Sequence, residues 1–216
     1  MIDEDPPAAP GEVSKGLLLA LVAAQCGVMI AIGLAFWSWS GRPLGGVISV
    51  SATEAASGLG LGGALIVLGF ALWKIFPQAV ERLIRMQADQ YRFLLPHISW
   101  PVVLAVSLCA GFGEEVLFRA GLQTFLGDHV GAPAAIVLAA AIFAAIHLAK
   151  PVVTALVFAI GCLFGAIYLH TGSLLIVALG HALYDVWALH YLHREMVRLG
   201  MVGAPAPPLV NAAERG

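Results

Sequence analysis

Apolar residues run through this chain in long blocks. Six blocks approach the roughly 20 helical residues needed to cross a bilayer's hydrocarbon core. They are Gly16–Trp39, Gly58–Phe76, Pro101–Phe125, Ala132–Ala149, Val152–His170 and Ser173–Leu192. In lipid a helix satisfies every backbone polar group within its own segment, so each block predicts a transmembrane helix. Only Thr171-Gly172 separates the fifth block from the sixth, which predicts a tight turn. The pattern changes between the second and third blocks, in QAVERLIRMQADQYRFLL. Val80, Leu83, Ile84, Tyr91 and Leu94 fall near one helical face, and Glu81, Arg82, Arg85, Asp89 and Arg92 fall mostly elsewhere. That spacing predicts an amphipathic helix lying at the membrane interface. The fold class is therefore all-α: a polytopic membrane helix bundle of about six transmembrane helices and one interfacial amphipathic helix.

Composition agrees. Hydrophobic residues make up 60% of the chain and charged ones 11%, against about 25% charged in a soluble domain. Mean hydropathy is +0.91. There is too little polar surface to coat a water-soluble globule, so the protein is expected to be integral to a membrane. A net charge of −2 offers nothing to a polyanion, so nucleic acid is not expected as a partner. The basic residues set the orientation. Counting connections alternately from the N-terminus, Lys15, Lys74, Arg82, Arg85, Arg92, Lys150, Arg194, Arg198 and Arg215 fall on one side and only Arg42 on the other. Both termini are then cytoplasmic, and the plasma (inner) membrane is the expected location. The starting MIDEDPPAAPGEVSK and closing GAPAPPLVNAAERG read as short disordered tails.

Small residues have a packing use in lipid, where they let helices approach closely. Gly161 and Gly165 form a GxxxG pair, Gly58, Gly60, Gly62 and Gly63 give the second block a small face, and the fourth is rich in alanine. Cys26, Cys109 and Cys162 each lie in an apolar run without a CxxC partner, which fits buried packing residues and neither a disulfide framework nor a zinc knuckle.

Chemistry enters with six of the ionisable residues inside the blocks: Glu114, Glu115, Arg119, His147, His181 and Asp185. A charged residue at the centre of a membrane helix costs at least about 2.5–3.5 kcal/mol, and such residues face a bundle interior or a water-filled cavity. Glu115 and Arg119 are four apart and share a helix face, so their pairing offsets the burial cost and leaves Glu114 available. His181 and Asp185 repeat the interval, and so do Phe143 and His147, where the ring would limit the histidine's rotamers. The six are expected to converge on one cavity between the third, fourth and sixth blocks. A general base, a positioned water and an oxyanion stabiliser suffice for acyl transfer to water.

Three motifs in order carry a resemblance. GFGEEVLFRAG, with Glu114, Glu115 and Arg119, resembles the EExxxR motif of the CPBP family, which includes the type II CAAX prenyl endopeptidases and bacteriocin-processing or immunity proteins. Phe143 and His147 in FAAIH resemble its FxxxH motif, and His181 and Asp185 in GHALYD its HxxxN/D motif. The likeness covers roughly residues 100–190. It divides the chain into a cytoplasmic tail (1–15), N-terminal spans with the interfacial helix (16–99), a CAAX-protease-like catalytic core (100–193) and a second cytoplasmic tail (194–216). It implies an intramembrane endopeptidase acting on a membrane-associated protein or peptide within the lipid bilayer. Glu114 would activate a water with help from His147, His181 and Asp185 would stabilise the oxyanion or hold a metal, and Arg119 would anchor Glu115.

Metal dependence is left open by the sequence. Two histidines and a glutamate suit a catalytic zinc, in which case Glu114, His147 and His181 are the ligands of a divalent metal. A metal-free glutamate mechanism uses the same residues, and HExxH is absent. Two other classes use intramembrane carboxylates and histidines: a proton-coupled transporter, and a non-catalytic binding or immunity protein with the same fold. Ser173 reads as an N-cap rather than a nucleophile. Substrate identity and oligomeric state are not legible.

Overall fold

The computed structural model describes residues 14–91, 94 and 97–201, so most of both expected tails, and Arg92 and Arg215 with them, lie outside the described residues. The described chain is helical throughout: α1 (Lys15–Trp39), α2 (Ala52–Ile75), α3 (Pro77–Tyr91), α4 (Trp100–Val130), α5 (Ala132–Ile146), α6 (Pro151–Thr171) and α7 (Leu174–Arg198). All except α3 and α5 are long and apolar enough to cross a membrane. The protein is an integral membrane helix bundle.

Local chemistry explains where the helices differ from their expected bounds. α2 starts at Ala52, ahead of Gly58, because Ser51 and Glu54 form a reciprocal cap. The Glu54 amide donates to Ser51 Oγ at 3.1 Å, and that hydroxyl donates to the Glu54 carboxylate at 2.7 Å. α5 stops at Ile146, ahead of Ala149. Its 15 residues span about 22 Å, short of a hydrocarbon core of about 30 Å. Pro151 disfavours a helical residue before it, and Lys150 is extended with ψ 148°. Leu148 takes φ +48°, the left-handed region, as no other described non-glycine residue does. The turn between α6 and α7 forms as expected: Gly172 has φ +67°, and Ser173 caps α7 by accepting from the Ile176 amide at 3.4 Å. α7 runs on past Leu192 to Arg198, carrying helix into the segment expected to be tail.

The amphipathic α3 is present, with its apolar side turned onto the protein. Ile84 and Ala88 are buried with Met196 near the end of α7, and Tyr91, Tyr191 and Leu192 pack around them. At the opposite end of the bundle Arg42 and Asp128 form a paired hydrogen bond at 2.6 and 3.0 Å, tying the loop after α1 to the end of α4. That bond holds the Arg42 guanidinium above its ordinary pKa.

Close helix contacts hold the rest. Gly62 of α2 lies against Leu183 of α7, Gly180 of α7 lies against Leu61, and Gly161 of α6 lies against Ala140 of α5. Gly60 and Gly63 face open space, so only Gly58 and Gly62 of that glycine-rich stretch serve packing. α1 reaches α4 through Gly33 and Gly121, where a Cβ on Gly33 would stand 2.5 Å from the Val116 carbonyl oxygen. Gly33→Ala should therefore force two backbones apart and destabilise the protein by about 1–3 kcal/mol, as overpacking does. Thermal unfolding in detergent checks this, with Gly60→Ala as the control that should behave as wild type.

Candidate active site

α4 departs from α-helical geometry where its charges lie. Its ends are α-helical, but Cys109–Glu114 and Val116–Gln123 are hydrogen-bonded i→i+5, with Glu115 at the junction. Such π turns are rare and gather at functional sites. Gly111 and Gly113 fall within the first of them. A Cβ on Gly111 would meet the Ala178 carbonyl and Ala182 of α7 at 2.7 Å, and one on Gly113 would meet Met29 and Cys26 of α1 at 2.9 and 3.3 Å. The two glycines thus let α1 and α7 close on α4 beside the glutamates. A turn with five-residue bonding is wider than an α-turn, so adjacent side chains diverge less and one partner can reach both acids.

His181 is that partner. Its Nδ1 lies 3.0 Å from Glu115 Oε1, and its Nε2 lies 3.9 Å from Glu114 Oε2 and 3.5 Å from Asp185 Oδ2. Glu115 also accepts from Arg119 Nε at 2.9 Å, and both side chains of that pair are 0% exposed. The Arg119 Cζ lies 5.5 Å from the centre of the Phe143 ring. Its two terminal nitrogens are buried with no hydrogen-bond partner among the described residues. Glu114 differs from its neighbour: its side chain is 17% exposed. One carboxylate is locked between a guanidinium and an imidazole, and the other is partly exposed.

α5 brings the fourth element. Phe143 is buried and sits edge-on to Phe118 of α4 at 5.0 Å and to its own His147 at 4.6 Å. His147 follows the last helical residue, and its Nδ1 lies 2.7 Å from the Phe143 carbonyl oxygen. As the donor in that bond, Nδ1 leaves Nε2 as the ring's other functional nitrogen. His147 is near enough to Asp185 to interact with it electrostatically.

Five of the six sequence-derived residues, Glu114, Glu115, Arg119, His181 and Asp185, thus form one connected cluster between α4 and α7. His147 stands at the α5 side of it. The connection that sequence reasoning missed is His181 to Glu115, because it depends on two helices meeting. Four-residue spacing assigned His181 to Asp185 and Glu115 to Arg119 as separate pairs. As ligands for a divalent metal, Glu114, His147 and His181 do not fit as they stand. Among the described residues no three His, Cys, Asp or Glu side chains are grouped as metal ligands would be.

Residues 96–187 match the family described as Type II CAAX prenyl endopeptidase Rce1-like. The likeness spans 92 of the 216 residues, under half of the chain. The matched region holds Glu114, Glu115, Arg119, His147, His181 and Asp185, in agreement with the resemblance carried by the three motifs, and supports a protease-type enzyme. α1 and α2 lie outside the match, although Gly33 of α1 and Gly62 of α2 support α4 and α7. No curated protein and no solved structure matches the chain.

Proposed function

We propose that the Rce1-like region hydrolyses a peptide bond of a membrane-associated protein or peptide, using a water activated at Glu114. The observation that carries this reading is the asymmetry of the two glutamates. Glu115 is sealed and twice bonded, while Glu114 keeps 17% of its side chain exposed beside His181 and Asp185. Glu114 is the general base, and His147 helps orient the water through Nε2. As the carbonyl is attacked, its oxygen gains negative charge, and a donor aimed at it lowers the barrier. His181 supplies that donor from Nε2 while Nδ1 donates to Glu115. Donation from both nitrogens requires the imidazolium form, whose charge the adjoining carboxylates balance. Glu115 and Arg119 are positioning residues. Asp185, 3.5 Å from that same His181 Nε2, adds negative charge beside the imidazolium. No step passes through a metal.

The cluster lies on helices able to span a membrane, so the substrate is a segment held at the membrane; a prenylated C-terminus is one such segment. Both termini are assigned to the cytoplasm, on the bias of basic residues.

The experiment is reconstitution of the purified chain in liposomes with a panel of lipid-anchored peptides, prenylated and acylated, and identification of the products by mass spectrometry. Cleavage at one defined bond is expected. Proton flux across the same liposomes without any cleavage would point to transport instead.

A further inference from the structure

A cavity lies away from the proposed catalytic cluster, where α2 and α7 end and α3 crosses them. It measures about 370 Å³ and is lined by Trp73, Glu81, Ile84, Tyr191, Glu195 and Arg198, among others. The aromatic side is organised: Tyr191 stands edge-on to Trp73 at 5.9 Å and stacks on Trp187 at 5.3 Å. Gly69 admits the Trp187 ring, which passes 2.7 Å from where a Cβ would be. Lys74 already places its ammonium 4.7 Å from the centre of the Trp73 ring, so these rings take a cation in this setting.

The charged side carries two carboxylates and one guanidinium. Arg198 donates to Glu195 at 2.8 Å and reaches Glu81 at 3.5 Å. Arg85 donates to Glu81 from outside the cavity at 2.9 Å and holds it below the usual carboxylate range, so Glu81 is charged at neutral pH. The Glu195 side chain is only 12% exposed, whereas Arg198 is 57% exposed. The Tyr191 hydroxyl is buried with no hydrogen-bond partner among the described residues. The lining therefore has a carboxylate within, Glu195, a guanidinium at its mouth, Arg198, and a hydroxyl with no hydrogen-bond partner among the described residues, while Glu81 is shared between Arg198 and Arg85.

We propose that this cavity binds the headgroup of an amine-bearing phospholipid, with the ammonium donating to Glu195 and the Tyr191 hydroxyl beside the Trp73 ring, and the phosphate on Arg198. A phosphate alone would meet two carboxylates at close range. A zwitterion with its cationic end inward matches the order of charges from interior to mouth. The lipid source is favoured over a free headgroup by location. Trp, Tyr and Lys gather at membrane–water interfaces, and Phe70, Leu72, Ile75 and Phe76 are exposed on α2 and just past its end, where acyl chains would run. A lipid seated there would bridge α2, α3 and α7, the last of which carries His181 and Asp185.

The test uses the full purified chain in detergent, mixed with phosphatidylethanolamine or phosphatidylglycerol of the same acyl chains, with retained lipid counted by native mass spectrometry. Phosphatidylethanolamine is expected to be retained about three- to thirtyfold more tightly, the range of a cation–π contact converted at tenfold per 1.4 kcal/mol. Glu195→Gln and Tyr191→Phe should each reduce that preference. Tyr191→Phe removes a single atom, so it carries the test if Glu195→Gln fails to fold. Equal or stronger retention of phosphatidylglycerol would overturn the proposal, as would undiminished preference in Tyr191→Phe. Equally tight binding of chain-free glycerophosphoethanolamine would overturn the assignment to a lipid.

Discussion

Glu114→Gln should lower turnover by about 10²-fold or more, the usual share of a general base, while leaving the fold and the melting temperature close to wild type. The amide keeps the size and the hydrogen-bonding reach of the acid and cannot take a proton from water. The structural cost is small because Glu114 is partly exposed and is not the carboxylate that Arg119 holds. Glu115→Gln makes the contrast. The same chemical change there weakens a bonded pair with no solvent access, so it should reduce stability as well as rate. Turnover measured in liposomes beside thermal unfolding separates the two. A wild-type rate in folded Glu114→Gln would place the base elsewhere.

Arg119→Ala is expected to cost about 3–5 kcal/mol of stability, since it strands an ionised Glu115 in a water-free interior. The loss has a second component, because the guanidinium also covers the Phe143 ring, at 5.5 Å. Removing both partners should be far milder, as apolar replacements of a buried pair often are. The double variant Glu115→Leu/Arg119→Met is thus predicted to regain most of the stability. It should remain nearly inactive, because His181 loses the acceptor at Nδ1 that fixes its ring. Thermal unfolding in detergent reports the first half of that statement and turnover the second. Full activity in the stable double variant would remove Glu115 and Arg119 from the positioning role.

Much of the architecture was legible because lipid imposes a simple rule: an apolar block of sufficient length becomes a helix. Five long helices follow it closely, and Gly172 and Ser173 behave as turn and cap. α5 departs because Pro151 acts on the residues before it, and hydropathy does not register a backbone constraint. α3 shows a different limit. Its apolar stripe was visible, but Met196 of α7 covers Ile84 and Ala88, and a stripe alone does not distinguish a protein surface from lipid. At the site, residue identities were readable from burial cost and spacing, whereas the connectivity was not. Spacing at 3.6 residues per turn cannot anticipate the i→i+5 bonding around Glu114 and Glu115, nor the glycines that bring α1 and α7 onto it. Hence α1, which bears no motif, was not expected to support the site.

In the proposed reaction water attacks the peptide bond directly, without a covalent intermediate on the protein. The most direct measurement follows wild-type cleavage of a lipid-anchored peptide in liposomes prepared in heavy-oxygen water, with and without hydroxylamine. Direct attack by water gives a new C-terminal carboxylate carrying one solvent oxygen and no hydroxamate product. A hydroxamate would contradict it, by revealing an acyl group held on a side chain such as Cys109.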